Sequence, residues 1–232
     1  MSKKNNNTRS TKLSRNSSIE LLRIIAMVGI VAHHFVLFNA FRANSQPLSF
    51  NKLFLVGVFE QCGKVSVVCF FAISAWFISE KAPSITSGLR RAWILEREVL
   101  FWSLVSLGVS IVAGLTLDLK SVLRSLIPTI SNQWWYVTAY MLFLLICPFL
   151  PMGLKALGRH YHGYLCVLLL FIWGCMAGLL PSITLGMGDS VFLFIYLYVL
   201  LSYWRWYMRP LSAKCGLLLF AFGWLFILAG FT

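Results

Sequence analysis

An arginine and two histidines stand within the first apolar stretch of the chain, Ile19-Glu20-Leu21-Leu22-Arg23 leading through Ile24 to Ala32 and then His33-His34. Ten residues separate Arg23 from His34. In a helix turning about 100° and rising about 1.5 Å per residue, that interval is close to three full turns. Arg23 and His34 therefore share a face, roughly 16 Å apart along the axis, and His33 is rotated away by about 100°. Imidazole is the side chain best suited to move a proton near neutral pH. A charge in the bilayer costs about 2.5–3.5 kcal/mol on insertion scales, so an intramembrane Arg or His is read first as functional. The plainer readings stand beside it: Arg23 snorkels to the headgroups, His34 satisfies an interhelical hydrogen bond, and Glu20 pairs with Arg23 across one turn.

Other candidates are weaker. Glu60 and Lys64 are spaced as an ion pair near the outer end of the second apolar stretch. Ser74 lies in Phe70-Phe71-Ala72-Ile73-Ser74-Ala75-Trp76, where small residues permit close helix approach. A serine nucleophile would need a base and an oxyanion hole, and neither is visible there. A loop is expected at Ser87-Gly88-Leu89-Arg90-Arg91, with Arg97 following, and its arginines suit lipid headgroups or a phosphorylated cofactor. Gln133-Trp134-Trp135-Tyr136 reads as an aromatic belt, and Pro148 and Pro151 end or kink the stretch that follows. The six cysteines all sit in apolar runs, with no pair or His/Cys cluster of metal-site spacing.

The elements that must position these residues follow from composition. Of 232 residues, 59% are hydrophobic and 12% charged, with mean hydropathy +0.79. Soluble domains carry about 25% charged residues, so a soluble globular protein is excluded, and so is disorder. A polytopic all-α membrane bundle remains. Seven stretches, roughly 19–41, 53–79, 99–117, 134–152, 163–180, 190–207 and 213–231, approach the length of about 20 residues that spans hydrocarbon. Residues 1–18 form a basic cytoplasmic tail, expected to be disordered, and 19–232 the membrane-embedded domain. With the N-terminus inside, fifteen of the twenty basic residues fall on the cytoplasmic side and four outside. The net charge of +13 is then mainly topology, not a nucleic-acid footprint.

At these residues the sequence resembles the integral-membrane acyltransferase-three family, which includes bacterial polysaccharide O-acetyltransferases. The family's signature is an Arg, ten residues and a His in the first membrane helix, matched by Arg23 and His34. "GKVSVVCFFAISAWF" is similar to its Gly/Val-rich approach to Phe-Phe-x-x-Ser-Gly, with Gly63, Phe70, Phe71 and Ser74 in place and Ala75 for the usual Gly. "LRRAWILEREVLFWSL" and "QWWYVTAYMLFLLICPFLP" resemble its basic loop with the third helix and its aromatic fourth helix. The match runs from about Ser18 to Leu154. Family members usually carry more helices than seven, so the chain reads as a shortened member or as one whose reading frame ends early.

The resemblance implies a multi-pass plasma-membrane enzyme that moves an acyl group, commonly acetyl from acetyl-CoA, to a hydroxyl of a cell-envelope glycan, without a metal. His34 would be the general base or the relay for the acyl group. Arg23 would hold the anionic donor or orient the histidine. Arg90 and Arg91 would contact the donor, and Ser74, Trp135 and Tyr136 would line the substrate pocket. The lipid bilayer and a glycan or lipid-linked glycan are the implied partners. The reading from another class is a transporter or flippase component, or an inactive partner of a longer enzyme. A proton-coupled transporter would hold ionisable groups in several facing helices, and four of the seven stretches have none in their interiors.

Overall fold

From Ser17 to Phe38 there is no proline and a near-continuous run of Leu, Ile, Val and Ala, and in the computed structural model this is a 22-residue helix, α1. The structure describes residues 17–39, 42, 45–47, 49–80, 83–176 and 187–229. The expected disordered tail therefore lies outside the described residues up to position 16, as does Lys81. At about 1.5 Å per residue α1 is roughly 33 Å long, enough to cross hydrocarbon. Its apolar side chains are largely exposed, Val31 at 66% and Val28 at 63%, which only lipid or another apolar partner satisfies.

The chain forms two compact units, Met1–Phe70 with Ile227–Thr232, and Phe71–Phe226. In the first, the short helix α2 (Phe50–Phe54) is capped by Ser49, whose hydroxyl accepts from the Lys52 amide at 3.2 Å. A π-helical turn, Leu55–Glu60, leads into α3 (Gln61–Glu80). α1 and α3 approach through two glycines. A Cβ on Gly29 would overlap the Ser66 side chain, and one on Gly63 would overlap the His33 ring. Small residues at such a crossing let two membrane helices pack backbone to side chain.

The second unit holds the rest of α3 and α4 (Ile85–Val112), α5 (Leu119–Leu126), α6 (Trp135–Ile146), α7 (Leu150–Leu170), α8 (Val191–Tyr207) and most of α9 (Ala213–Ala229). Its centre is aromatic. Phe71, Phe143, Phe194 and Tyr198 are fully buried. Phe71 stacks on Phe194 at 4.3 Å and meets Phe143 edge-on at 4.9 Å. The end of α3 is tied to the end of α8: Arg205 pairs with Glu80 at 2.9 Å, its guanidinium lies 4.4 Å from the Trp76 ring centre, and the Trp206 indole donates to the Ser79 carbonyl at 3.1 Å.

The all-helical class is as expected, and no strand occurs among the described residues. The seven predicted spans are reproduced only in part. Two described helices are long and apolar enough to cross a membrane, Ser17–Phe38 and Val58–Glu80. A third candidate is the pair Trp135–Ile146 and Leu150–Trp173, bent by 74°. Pro148 and Pro151 flank that bend, one lacking the amide that would continue α6 and the other in the first turn of α7. Val191–Tyr207 and Ala213–Gly223 are apolar but shorter.

Two expected loops are largely helical. Arg90, Arg91 and Arg97 lie on α4, which starts at Ile85 because Ser84 caps it, its hydroxyl accepting from the Ser87 amide at 3.2 Å. Lys155 and Arg159, expected between two spans, lie in α7 on either side of Gly158, whose φ of 70° and ψ of 175° kink the helix there. Charge density, read as loop, is here carried by exposed helix faces.

α5 carries a pH-dependent cap. Asp118 accepts from the Ser121 amide at 3.1 Å. Its hydrogen bonds with Ser121, aided by the nearby Arg124 charge, hold its carboxyl below the usual range. A folded-state pKa that is lowered contributes stability above the ordinary carboxylate range and loses it as pH falls through the lowered value. Amide protection along Leu119–Leu126, measured against the intrinsic exchange rate at each pH, is expected to fall as the medium is acidified past that range. Asp118→Asn keeps a good cap and is expected to flatten this pH dependence. Equal acid sensitivity in the two proteins would refute it.

Candidate functional site

The first unit carries the Arg–His pair on α1. Arg23 reaches back one turn to Glu20, Nη1 to Oε1 at 3.4 Å, with both side chains partly exposed. His34 is exposed, stacked on Phe38 at 5.8 Å and 12° and edge-on to His33 at 5.4 Å. Arg23 and His34 share a face of one unbroken helix, roughly 16 Å apart, so no direct contact joins them.

His33 is rotated off that face, as the helical spacing requires, and takes a partner that spacing alone does not reveal. Its Nδ1 hydrogen-bonds to the Glu60 carbonyl, the last residue of the π-helical turn. A carbonyl oxygen only accepts, so Nδ1 carries the hydrogen and the neutral ring keeps Nε2 as its bare nitrogen. Gly63 lies flat against the same ring. His33 thus locks α1 to α3 in the rotation that leaves His34 on the outer face. The sequence signal that could have found it is the glycine itself: Gly63 is where α3 makes room for a ring.

The remaining candidates lie in the second unit. Arg90 and Arg91 are neighbouring exposed residues on α4. Ser74 is half-buried on α3 between Ile73 and Ala75, which are 7% and 0% exposed. Trp135 opens α6, 6.4 Å from Phe194 and 5.9 Å from Tyr136, while Tyr136 meets Phe194 at 5.2 Å and Tyr140 at 6.0 Å. Trp135 and Tyr136 are therefore brought together, at the edge of the buried aromatic core.

Two further polar ties, one buried and one partly buried, have no signal in the sequence. His162, fully buried, hydrogen-bonds through Nε2 to the Val199 carbonyl at 3.0 Å and joins α7 to α8. The Glu96 carboxylate on α4 accepts from the Thr129 hydroxyl, and Thr138 on α6 donates to the Thr129 carbonyl at 2.9 Å. Among the described residues no group of three or more His, Cys, Asp or Glu is placed to hold a metal ion.

Long apolar helices exposed along their length define a helical membrane protein. The family model described as "Acyltransferase domain" matches residues 16–232. The chain belongs to that family, the acyltransferase-three family, and is a membrane acyltransferase. No curated protein and no solved structure matches it.

Proposed function

We propose that the protein moves an acyl group, acetyl above all, from a cytoplasmic acyl-CoA to a hydroxyl of a cell-envelope glycan, as a multi-pass plasma-membrane enzyme with its N-terminus in the cytoplasm. The observation that carries this reading is the placing of half-buried Arg23 and exposed His34 on one face of α1. An acyl-CoA holds its phosphates and its thioester at opposite ends of an extended arm. An arginine and a histidine roughly 16 Å apart on one helix face match that layout. The excess of basic residues in the expected cytoplasmic segments supports the orientation.

In the proposed reaction the glycan hydroxyl oxygen attacks the thioester carbonyl carbon. His34 takes the hydroxyl proton as the C–O bond forms. The tetrahedral centre collapses, the C–S bond breaks, and the proton goes to the leaving CoA sulfur. Arg23 holds the donor's phosphates, with Arg90 and Arg91 as further anion contacts. Ser74, Trp135 and Tyr136 are proposed to shape the acceptor's path. The chemistry calls for no metal.

The test uses the impermeance of acyl-CoA. Inverted and right-side-out vesicles containing the protein receive labelled acetyl-CoA. Label is expected in the glycan fraction of inverted vesicles, at a level above vesicles without the protein, and not in right-side-out ones. Glycan crossing the membrane without label would favour a transporter, and label from the outer face alone would overturn the donor's side.

A further inference from the structure

Outside the proposed site, the second unit has an open trough of about 960 Å³ where α7 and α8 lie side by side. The helices run antiparallel, tied by His162 to the Val199 carbonyl and by Trp173 stacked on Tyr196 at 5.1 Å. One end of the trough is cationic, with Arg159 and His160 on its wall. Exposed Arg209 follows the end of α8. No carboxylate is among the described residues that line it.

Away from that end the wall is apolar, formed by Val167, Leu170 and Leu200, with Val167 66% exposed. Gly163 keeps the floor open: a Cβ there would lie 3.1 Å from the Tyr203 hydroxyl oxygen. Tyr164 and Trp204 flank the cationic end, where an aromatic belt marks the boundary of headgroup and hydrocarbon. From Arg159 to Leu170 the helix rises roughly 16 Å, which is half of a hydrocarbon core of about 30 Å. The trough is one leaflet deep, charged at one end and apolar along the rest.

We propose that this trough is a binding site for a glycerophospholipid with an anionic headgroup. The phosphate and headgroup sit at Arg159, and one acyl chain runs along Val167, Leu170 and Leu200. A zwitterionic lipid would fill the apolar part equally well but would gain less at the cationic end. The proposal is independent of the acyl-transfer reading, because it uses none of the residues assigned to that reaction.

Native mass spectrometry of the full purified chain tests it, after equilibration with mixed micelles holding equal amounts of phosphatidylglycerol and phosphatidylcholine. The wild type is expected to retain phosphatidylglycerol in preference. Arg159→Ala is expected to lower the ratio of the two lipids about fivefold, the effect of one basic residue near an anionic surface. Gly163→Leu fills the floor and is expected to lower retention of both lipids. Should that variant fail to fold, Val167→Trp blocks the trough from its exposed rim with no packing disturbed, and the same loss is expected. Arg124→Ala, on α5, is expected to leave the ratio unchanged. Equal retention of the two lipids by the wild type would overturn the proposal. So would wild-type retention in both Arg159→Ala and Val167→Trp, or an equal effect of Arg124→Ala, which would mark diffuse charge attraction in place of a site.

Discussion

His34→Ala is expected to lower acyl transfer by about two to four orders of magnitude, the usual contribution of a positioned general base. The protein should still fold, because the His34 ring is exposed and its ring partners are Phe38 and His33 on its own helix. The neighbouring histidine supplies the contrast. His33 is held by the Glu60 carbonyl and packed on Gly63, so its substitution is expected to act through structure. His33→Asn can still donate from a comparable position and is expected to stay near wild type. His33→Leu removes the donor and is expected to lower stability by about 1 kcal/mol while the folded protein keeps most of its rate. Rates from purified protein, normalised to folded fraction, separate the two residues. Should His33→Asn lose transfer while His34→Ala keeps it, the base is His33, acting through its bare Nε2.

Phe71→Ala is expected to be the most damaging packing change in the second unit. The ring is fully buried, stacked face to face on Phe194 at 4.3 Å and met edge-on by Phe143 at 4.9 Å and by Tyr140 at 6.3 Å. In a membrane the apolar surface released is not exposed to water, so the loss comes from dispersion contacts and the cavity left behind. Burying a cavity of phenyl size costs about 3–5 kcal/mol in well-packed cores. The thermal midpoint in detergent is expected to fall accordingly, while Phe71→Leu, which refills part of the volume, costs less. A fall of under about 1 kcal/mol for the alanine variant would show that the aromatic cluster is not the centre of this unit. The same geometry explains why the sequence carries Phe at this place: the second aromatic of Phe70-Phe71 reaches the core.

How much of this was legible in the sequence varies with the range of the interaction involved. α1 was read nearly to its ends, because a run of apolar residues without proline permits one regular structure in lipid. The common face of Arg23 and His34, and the rotation of His33 away from it, follow from helical periodicity alone. α4 starts well before the expected third span, because Arg90, Arg91 and Arg97 lower the hydropathy of a helix that Ser84 nevertheless caps. The separation expected between residues 152 and 163 shrinks to a single kink at Gly158, whose φ of 70° interrupts α7 between the exposed Lys155 and Arg159. Pro148 and Pro151 announced a break or a kink, and the bend between α6 and α7 is what they produce.

The long-range ties were not readable. Arg205 counted only as one more cytoplasmic cation, yet it pairs with Glu80, 125 positions earlier in the chain. The His33 contact depends on a π-helical turn, whose extra residue shifts the register by an amount that periodicity does not disclose. The family resemblance rests on Arg23, His34, Gly63 and the Phe70-Phe71 pair. It assigned Gly63 no task, and the packing supplies one.

The most direct measurement is the acyl-ester content of envelope glycan from cells producing the wild type, compared with cells producing His34→Ala at equal membrane levels. The proposed reaction requires esters with the wild type and a background level with the variant. Equal ester content in both, or no esters above background with the wild type present and folded, would contradict a transferase that works through His34.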